Sequence, residues 1–442
     1  MIESLAAATL EERERVLTQS LAHFRNPPGP DLLRRADRFG DYIGRRERYG
    51  LWPYSRALEA AAGPRTAVSD SRGEVRRGLN FASQDYLGLS GHPKVRDAAK
   101  EAIDRFGVHS AGSAVLVGNT RLSRDLEDAI GAALRMPHVA LYPTGWAAGH
   151  AAITAFVRPR DHVVLDYLSH ACLQQGAAAA TARIHQFEHD SIEDLRAKLA
   201  AIRATDAENG IMVVTEGLFS MDSDVPDLRG LQRTAHEFGA TLLVDVAHDF
   251  GSMGPGGGGS LAAQSMLGEV DLVMGSFSKT FASNGGFVAC RSEAVRQYAK
   301  YFANTHMFSN ALSPVQAAVV AQALEIVRSE EGDRRRSDLM AAIGALRDAF
   351  VEAQWHPLGA PSPIVPLPFG NDRLARIAAR HIAEQDVFVN LVEYPAVPAG
   401  GARLRMQVMA DHTPEQARAA ARKILAARVF AEGELAGLSA GV

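Results

Sequence analysis

ATLLVDVAHDFG, residues 240–251, and DLVMGSFSKTFASNGGFVACR, residues 271–291, set the pattern from which the fold is read. Each opens with a short run of β-branched or large apolar residues and then breaks into small and polar ones, the signature of a buried strand that ends in a loop. The same form recurs upstream in HVALYP (138–143), HVVLDY (162–167), ARIHQF (182–187) and IMVVTEG (211–217), and GGFVACR (285–291) closes the series. Ala-rich helical stretches separate these runs between about 120 and 290. Strands alternating with helices predict an α/β fold, a mostly parallel sheet with helices on both faces. In such sheets ligands gather at the carboxyl ends of the strands, where loops meet helix N-termini. The residues just after each run are therefore the candidates for chemistry.

Composition agrees with a globular enzyme-sized chain. The 442 residues are 47% hydrophobic and 22% charged, which excludes disorder over most of the length. Lys and Arg number 47 against 51 Asp and Glu, a net charge of -4, so the basic excess that attracts nucleic acid or anionic lipid is absent. Two cysteines, Cys172 and Cys290, are too few for a disulfide framework or a cysteine-rich metal site, and no metal is expected. The first residues, MIESLAAATLEERERVLTQSL, interrupt their apolar positions with acids and arginines before a signal-peptide core can form, and no uncharged run reaches membrane-spanning length. A cytoplasmic location is expected.

Outside the alternating region, residues 1–50 form a charge-rich arm in which Thr9 and Glu12 have capping-box spacing ahead of Leu10, Leu17 and Leu21. This predicts a helical arm that packs at a subunit surface or docks a carrier protein. Residues 51–100 are expected to pack on a small domain, 101–330 to form the large domain, and 331–442 to form a smaller α+β domain. Its strand candidates are PIVPLPF (363–369), VFVNLV (387–392) and ARLRMQVM (402–409), followed by a helix from about 413. GPGGGG, 254–259, reads as a mobile surface turn.

Four strand ends carry suggestive groups. Lys279, flanked by Ser276 and Ser278 in GSFSKTFASNGG (275–286), is a side chain able to condense with a carbonyl cofactor, although a lysine after a strand is more often a solvated loop residue. Asp245, with His248 three residues on, could pair with a protonated ring nitrogen as the Asp partner of pyridoxal phosphate does, or could cap the next helix. His170 in DYLSHACL (166–173) could stack on a cofactor ring or be structural. In LYPTGWAAGH (141–150) a strand gives way to a helix at Thr144, Gly145 and Trp146, so backbone amides would face an anion there. Together these describe a phosphate cradle, a ring partner and an amine nucleophile.

At this point the chain resembles the α-oxoamine synthases, pyridoxal-phosphate enzymes of fold type I that include serine palmitoyltransferase and 8-amino-7-oxononanoate synthase. The likeness runs from NFASQDYLGLSGHP (80–93) to VPAGGARLRMQVMADHT (397–413). It implies a fold-type I transferase with a seven-stranded sheet and a homodimer with shared active sites. It also implies condensation of glycine, alanine or serine with an acyl thioester of CoA or a carrier protein, giving an α-amino ketone and CO2. By the same resemblance Lys279 would bind the cofactor carbonyl, Ser276, Gly145 and Trp146 its phosphate, Asp245 its ring nitrogen and His248 its phenolic oxygen. His170 would stack on the ring and Ser220 of TEGLFSMDSD would lie near it. Ser309 and Asn310 of FSNALSP would reach the neighbouring subunit's site, and Arg405 would hold the amino-acid carboxylate beside Gln84. The sequence departs from the family pattern at Ala114, Ser123, Gly149, Gln84 and Glu393, which leaves the amino acid and the acyl donor open. An aldolase or aminotransferase of the same fold, or a silent subunit of a serine palmitoyltransferase-like complex, are the competing readings.

Overall fold

In a computed structural model that describes residues 2–440, all seven apolar runs are strands of one sheet. They are β1 (His138–Tyr142), β2 (His162–Asp166), β3 (Ile184–Phe187), β4 (Ile211–Glu216), β5 (Thr241–Asp245), β6 (Leu272–Ser276) and β7 (Gly286–Cys290). The spatial order is β1-β7-β6-β5-β4-β2-β3. Only β7 runs against its neighbours, pairing antiparallel with both β1 and β6. Every residue of β2, β4, β6 and β7 is buried, which is why these strands read as unbroken apolar runs rather than alternating ones.

Two helices that follow β1 and β2 approach each other and the sheet very closely because their facing residues are small. They are α1 (Gly145–Thr154) and α2 (Ala171–Ala180). A methyl group at Gly149 would lie 2.4 Å from Cys172 Sγ and 3.1 Å from Met274 Cε. The family's Asn therefore has no room here, and this departure is a packing adjustment between α1, α2 and β6.

The chain divides into two units. Asp85–Ser220 and Asp224–Ser337 form the unit with the seven-stranded sheet, so residues 85–100 belong to it. The other unit combines the residues up to Gln84, Met221–Ser223 and the chain from Asp338 onward. Met1 and residues 441–442, the outer ends of the expected arm and small domain, lie outside the described residues.

In the first-named unit, GPGGGG departs from the expected surface turn. Gly257, Gly258 and Gly259 are buried, and Gly259 has φ +65 with its Cα so close to Asp249 that a methyl would sit 2.6 Å from Oδ2. The run is compact because it brings the Ser260 amide to 2.7 Å from the buried Asp249 carboxylate.

The second unit holds a three-stranded antiparallel sheet of Ile364–Pro368, Arg403–Gln407 and Asn390–Val392, and a four-stranded sheet containing Arg65–Ser69 and Val75–Asn80. VFVNLV splits between them: Val387–Phe388 pairs parallel with Leu79–Asn80, and Asn390–Val392 pairs with Arg403–Arg405. The N-terminal arm is helical over Leu10–Thr18, with Thr9 Oγ1 accepting from the Glu12 amide at 3.2 Å. Leu5, Val16 and Leu17 pack against Leu374, Ile377 and Ala378, whereas Leu10 is exposed.

Glu393, where some members of the resembled family have Arg, takes part in holding the arm. Its carboxylate is 1% exposed and receives Arg46 Nη1 at 3.0 Å and Arg376 Nε at 2.6 Å. Arg46 also donates to the Gln19 carbonyl at 3.0 Å, and Arg376 to that of Leu17. Both carbonyls lie at the carboxyl end of the arm helix, where cations are favoured. Removing the only acid of this trio leaves two guanidiniums buried without their counter-charge. Glu393→Ala is expected to lower stability by about 3–5 kcal/mol in urea unfolding.

Candidate active site

Asp245 ends β5 and Glu216 ends β4, and the parallel register sets them side by side. Burial pushes the Asp245 carboxyl up to about 6, against the opposing pull of the Lys279 charge and of the Ala247 amide, which donates to Oδ1 at 2.8 Å. Glu216 is likewise driven well above the ordinary carboxylate range by burial and by Asp245, with the His170 amide and Lys279 opposing. Its Oε1 accepts from the His170 amide at 2.6 Å. Two carboxyls deprived of water and one amine are thus gathered at adjacent strand ends, an arrangement typical of functional sites.

His170 caps α2. Its Nδ1 accepts from the Cys172 amide at 3.3 Å and lies 3.0 Å from Cys172 Sγ. An acceptor at Nδ1 places the ring proton on Nε2, an assignment made from the bonding. The exposed Trp146 ring stands edge-on at 6.0 Å. Burial also pushes the Cys172 thiol up, so it stays protonated.

An anion cradle forms where α1 begins. Thr144 Oγ1 takes the Ala147 amide at 3.0 Å, and the amides of Gly145 and Trp146 have no acceptor within the helix by position. A methyl on Gly145 would sit 2.3 Å from Ser276 Oγ, so only glycine lets the helix end meet β6 this closely. Ser276 Oγ in turn lies 2.8 Å from Ser278 Oγ. The Gly145 end of the helix thus meets two serine hydroxyls, with Lys279 next along the chain.

The remaining predicted residues divide by location. His248 is buried beside Tyr86, Nδ1 to Oη 2.9 Å, and Ser220 follows β4 in the same unit. Ser309 and Asn310 lie beside residues 109–113, where Asn310 bridges to Ser113 and Asn310 Nδ2 is 3.3 Å from His109 Nε2. Gln84 and Arg405 belong to the other unit. There Arg403, the first arginine of ARLR, is engaged by Asp222 and by the carbonyls of Met221 and Gly401. Arg405 Nη1 lies 4.0 Å from Met221 Sδ. Sequence reading singled out neither Glu216, Cys172 nor Tyr86, though Glu216 stands at a strand end and that position was the available signal.

Known proteins are similar to this chain over most of its length. Residues 76–424 match the aminotransferase class I and II family. The 8-amino-7-oxononanoate synthase of Pseudescherichia vulneris is 36% identical over 81% of this chain and 90% of its own length. The serine palmitoyltransferase of Sphingobacterium spiritivorum is 31% identical over 88% and 94%. The chain belongs to the α-oxoamine synthase family. Among solved structures, the Sphingomonas wittichii serine palmitoyltransferase superposes with a TM-score of 0.84 at 27% identity, covering 91% of this chain and 99% of that one. A serine palmitoyltransferase with bound pyridoxal phosphate gives 0.85 at 27%, covering 91% and 100%.

The α-oxoamine synthases are pyridoxal-phosphate-dependent acyltransferases of fold type I, and the residues present fit that cofactor. The cradle that a Cβ at Gly145 would fill suits a phosphate, the buried Asp245 suits a protonated ring nitrogen, and Lys279 supplies the amine. Because the Asp245 pKa in the folded chain lies above the unfolded value of about 3.9, folding is penalised progressively as pH rises from about 4 through 6. Asp245→Asn is therefore expected to stabilise cofactor-free protein at pH 8 by about 3 kcal/mol at most, read as a higher thermal midpoint, and to change its stability little at pH 4.

Proposed function

We propose that this protein condenses a small α-amino acid, glycine, alanine or serine, with an acyl thioester of CoA or a carrier protein. The products are an α-amino ketone, the free thiol and CO2. The observation that supports it most is the meeting of Lys279, Asp245 and the Gly145–Ser276 cradle at neighbouring strand ends in a member of this family.

Bound pyridoxal phosphate supplies the electron sink that stabilises negative charge at the amino-acid α-carbon. Asp245 would keep a proton on the cofactor's ring nitrogen, and Gly145, Trp146, Ser276 and Ser278 would hold its phosphate. Lys279 would hold the cofactor through Nζ and, as a free amine, would take the α-proton and later return one. His170 would cover the ring and present an Nε2–H, while His248, buttressed by Tyr86, would donate toward the phenolic oxygen. Ser220 would lie near the cofactor. Arg405 grips the substrate carboxylate bidentately near Gln84, a reading supported by Arg403 being committed to Asp222.

The active unit in this reading is a homodimer in the cytoplasm. Val108, Leu116, Val117 and Phe308 are large apolar side chains exposed on the segments around Ser309 and Asn310, which suits burial against a second copy. Both cysteines are buried and unpaired, as a reducing compartment allows. Among the described residues no helix is long and apolar enough to cross a membrane.

An absorbance spectrum of the pyridoxal-phosphate-loaded protein, recorded while each amino acid is titrated in, should shift for the true substrate. Lys279→Ala is expected to fold and to lose thioester-dependent CO2 release, and unchanged turnover in that variant would refute the assignment. Light scattering should return twice the 47.4 kDa chain mass.

A further inference from the structure

His189, which has no part in the chemistry above, lies between two carboxylates. Its Nδ1 faces both oxygens of Asp166, at 3.0 and 2.9 Å, and its Nε2 faces Asp224 Oδ2. An imidazole can donate from both nitrogens only as the cation. Burial works against that charge, but the hydrogen bonds to Asp166 and Asp224 prevail and hold the ring at about 10.

Each carboxylate organises a different loop. Asp166, the last residue of β2, accepts the Leu168 amide at 2.9 Å through Oδ1, and its carbonyl accepts the Ser169 amide at 3.0 Å, so it shapes the turn that leads to His170. Asp224 closes the loop after β4: its carbonyl accepts the Phe219 amide at 3.0 Å, and the loop carries Ser220. The His189 ring also packs edge-on against Phe219, centroids 4.5 Å apart. One side chain therefore grips the bases of both loops.

We infer that His189 is a positioning residue: shared between Asp166 and Asp224, it holds the loop bearing His170 and the loop bearing Ser220 in fixed relation at the cofactor site. The inference rests on the functional reading above, in which His170 and Ser220 face pyridoxal phosphate. His189 itself touches no reacting atom in this scheme. Its removal should loosen the ring's environment while leaving the anchoring amine and the phosphate cradle in place.

The test uses the full-length holoenzyme and the variants His189→Asn, too short to span both acids, and Asp224→Asn, which keeps shape but removes one charge. Cofactor absorbance at saturation should persist in both. The visible circular dichroism of the bound cofactor, which reports the asymmetry of its surroundings, should weaken, and kcat should fall by about 10²-fold in His189→Asn and less in Asp224→Asn, with KM for the amino acid moving far less. Dichroism and kcat unchanged from the parent enzyme in the folded variants would overturn the inference alone. If His189→Asn does not fold, Asp224→Asn decides by the same two readouts. A parent protein that takes up no pyridoxal phosphate would overturn the functional reading and this inference with it.

Discussion

Two carboxyl groups deprived of water at adjacent strand ends are the constraint around which this protein is arranged. Asp245 and Glu216 are brought together by backbone register, not by attraction, and both are raised by burial. Such a pair persists only if the surrounding packing over-determines it and if compensating groups are close. Lys279 supplies positive charge to both, the Ala247 and His170 amides supply hydrogen bonds, and the small residues of α1 and α2 let the two helices pack closely beside the sheet. The same sparse side chains that permit this closeness, Gly145 above all, leave helix-terminal amides turned to the anion cradle.

The large sheet was legible because four of its strands, β2, β4, β6 and β7, are buried along their whole length and so appear as apolar runs between helical stretches. Lys279, Asp245, His170 and Gly145 were legible for a related reason: they directly follow such runs, and parallel sheets place strand ends on one side. What could not be read was lateral order. That β4 neighbours β5, and hence that Glu216 lies beside Asp245, follows from hydrogen bonding between strands well separated in sequence. The acids gripping His189 stand 23 and 35 positions from it, and Glu393 meets Arg46 across 347, distances at which local pattern carries no signal. GPGGGG misled because glycine marks both loose turns and the tightest packing, and only the neighbouring Asp249 distinguishes the two.

The Glu393 trio shows a second use of buried charge. With two guanidiniums and one carboxylate enclosed, the excess positive charge is spread over main-chain carbonyls at the end of the arm helix. An ion group of this kind contributes little net stability over an apolar replacement, but loss of one partner leaves an uncompensated buried charge. Hydrophobic contacts of Leu5, Val16 and Leu17 hold the arm as well.

Cys172 illustrates what burial does for chemical selectivity. A thiolate near a bound aldehyde would add to it, and Cys172 lies close enough to Lys279 to feel its charge. Enclosed among apolar neighbours and adjacent to His170 Nδ1, the sulfur stays in its S–H form, a poor nucleophile and a slow target for peroxide. In the proposed reading the pocket would thus hold a sulfur beside an aldehyde without that sulfur competing with the Lys279 amine.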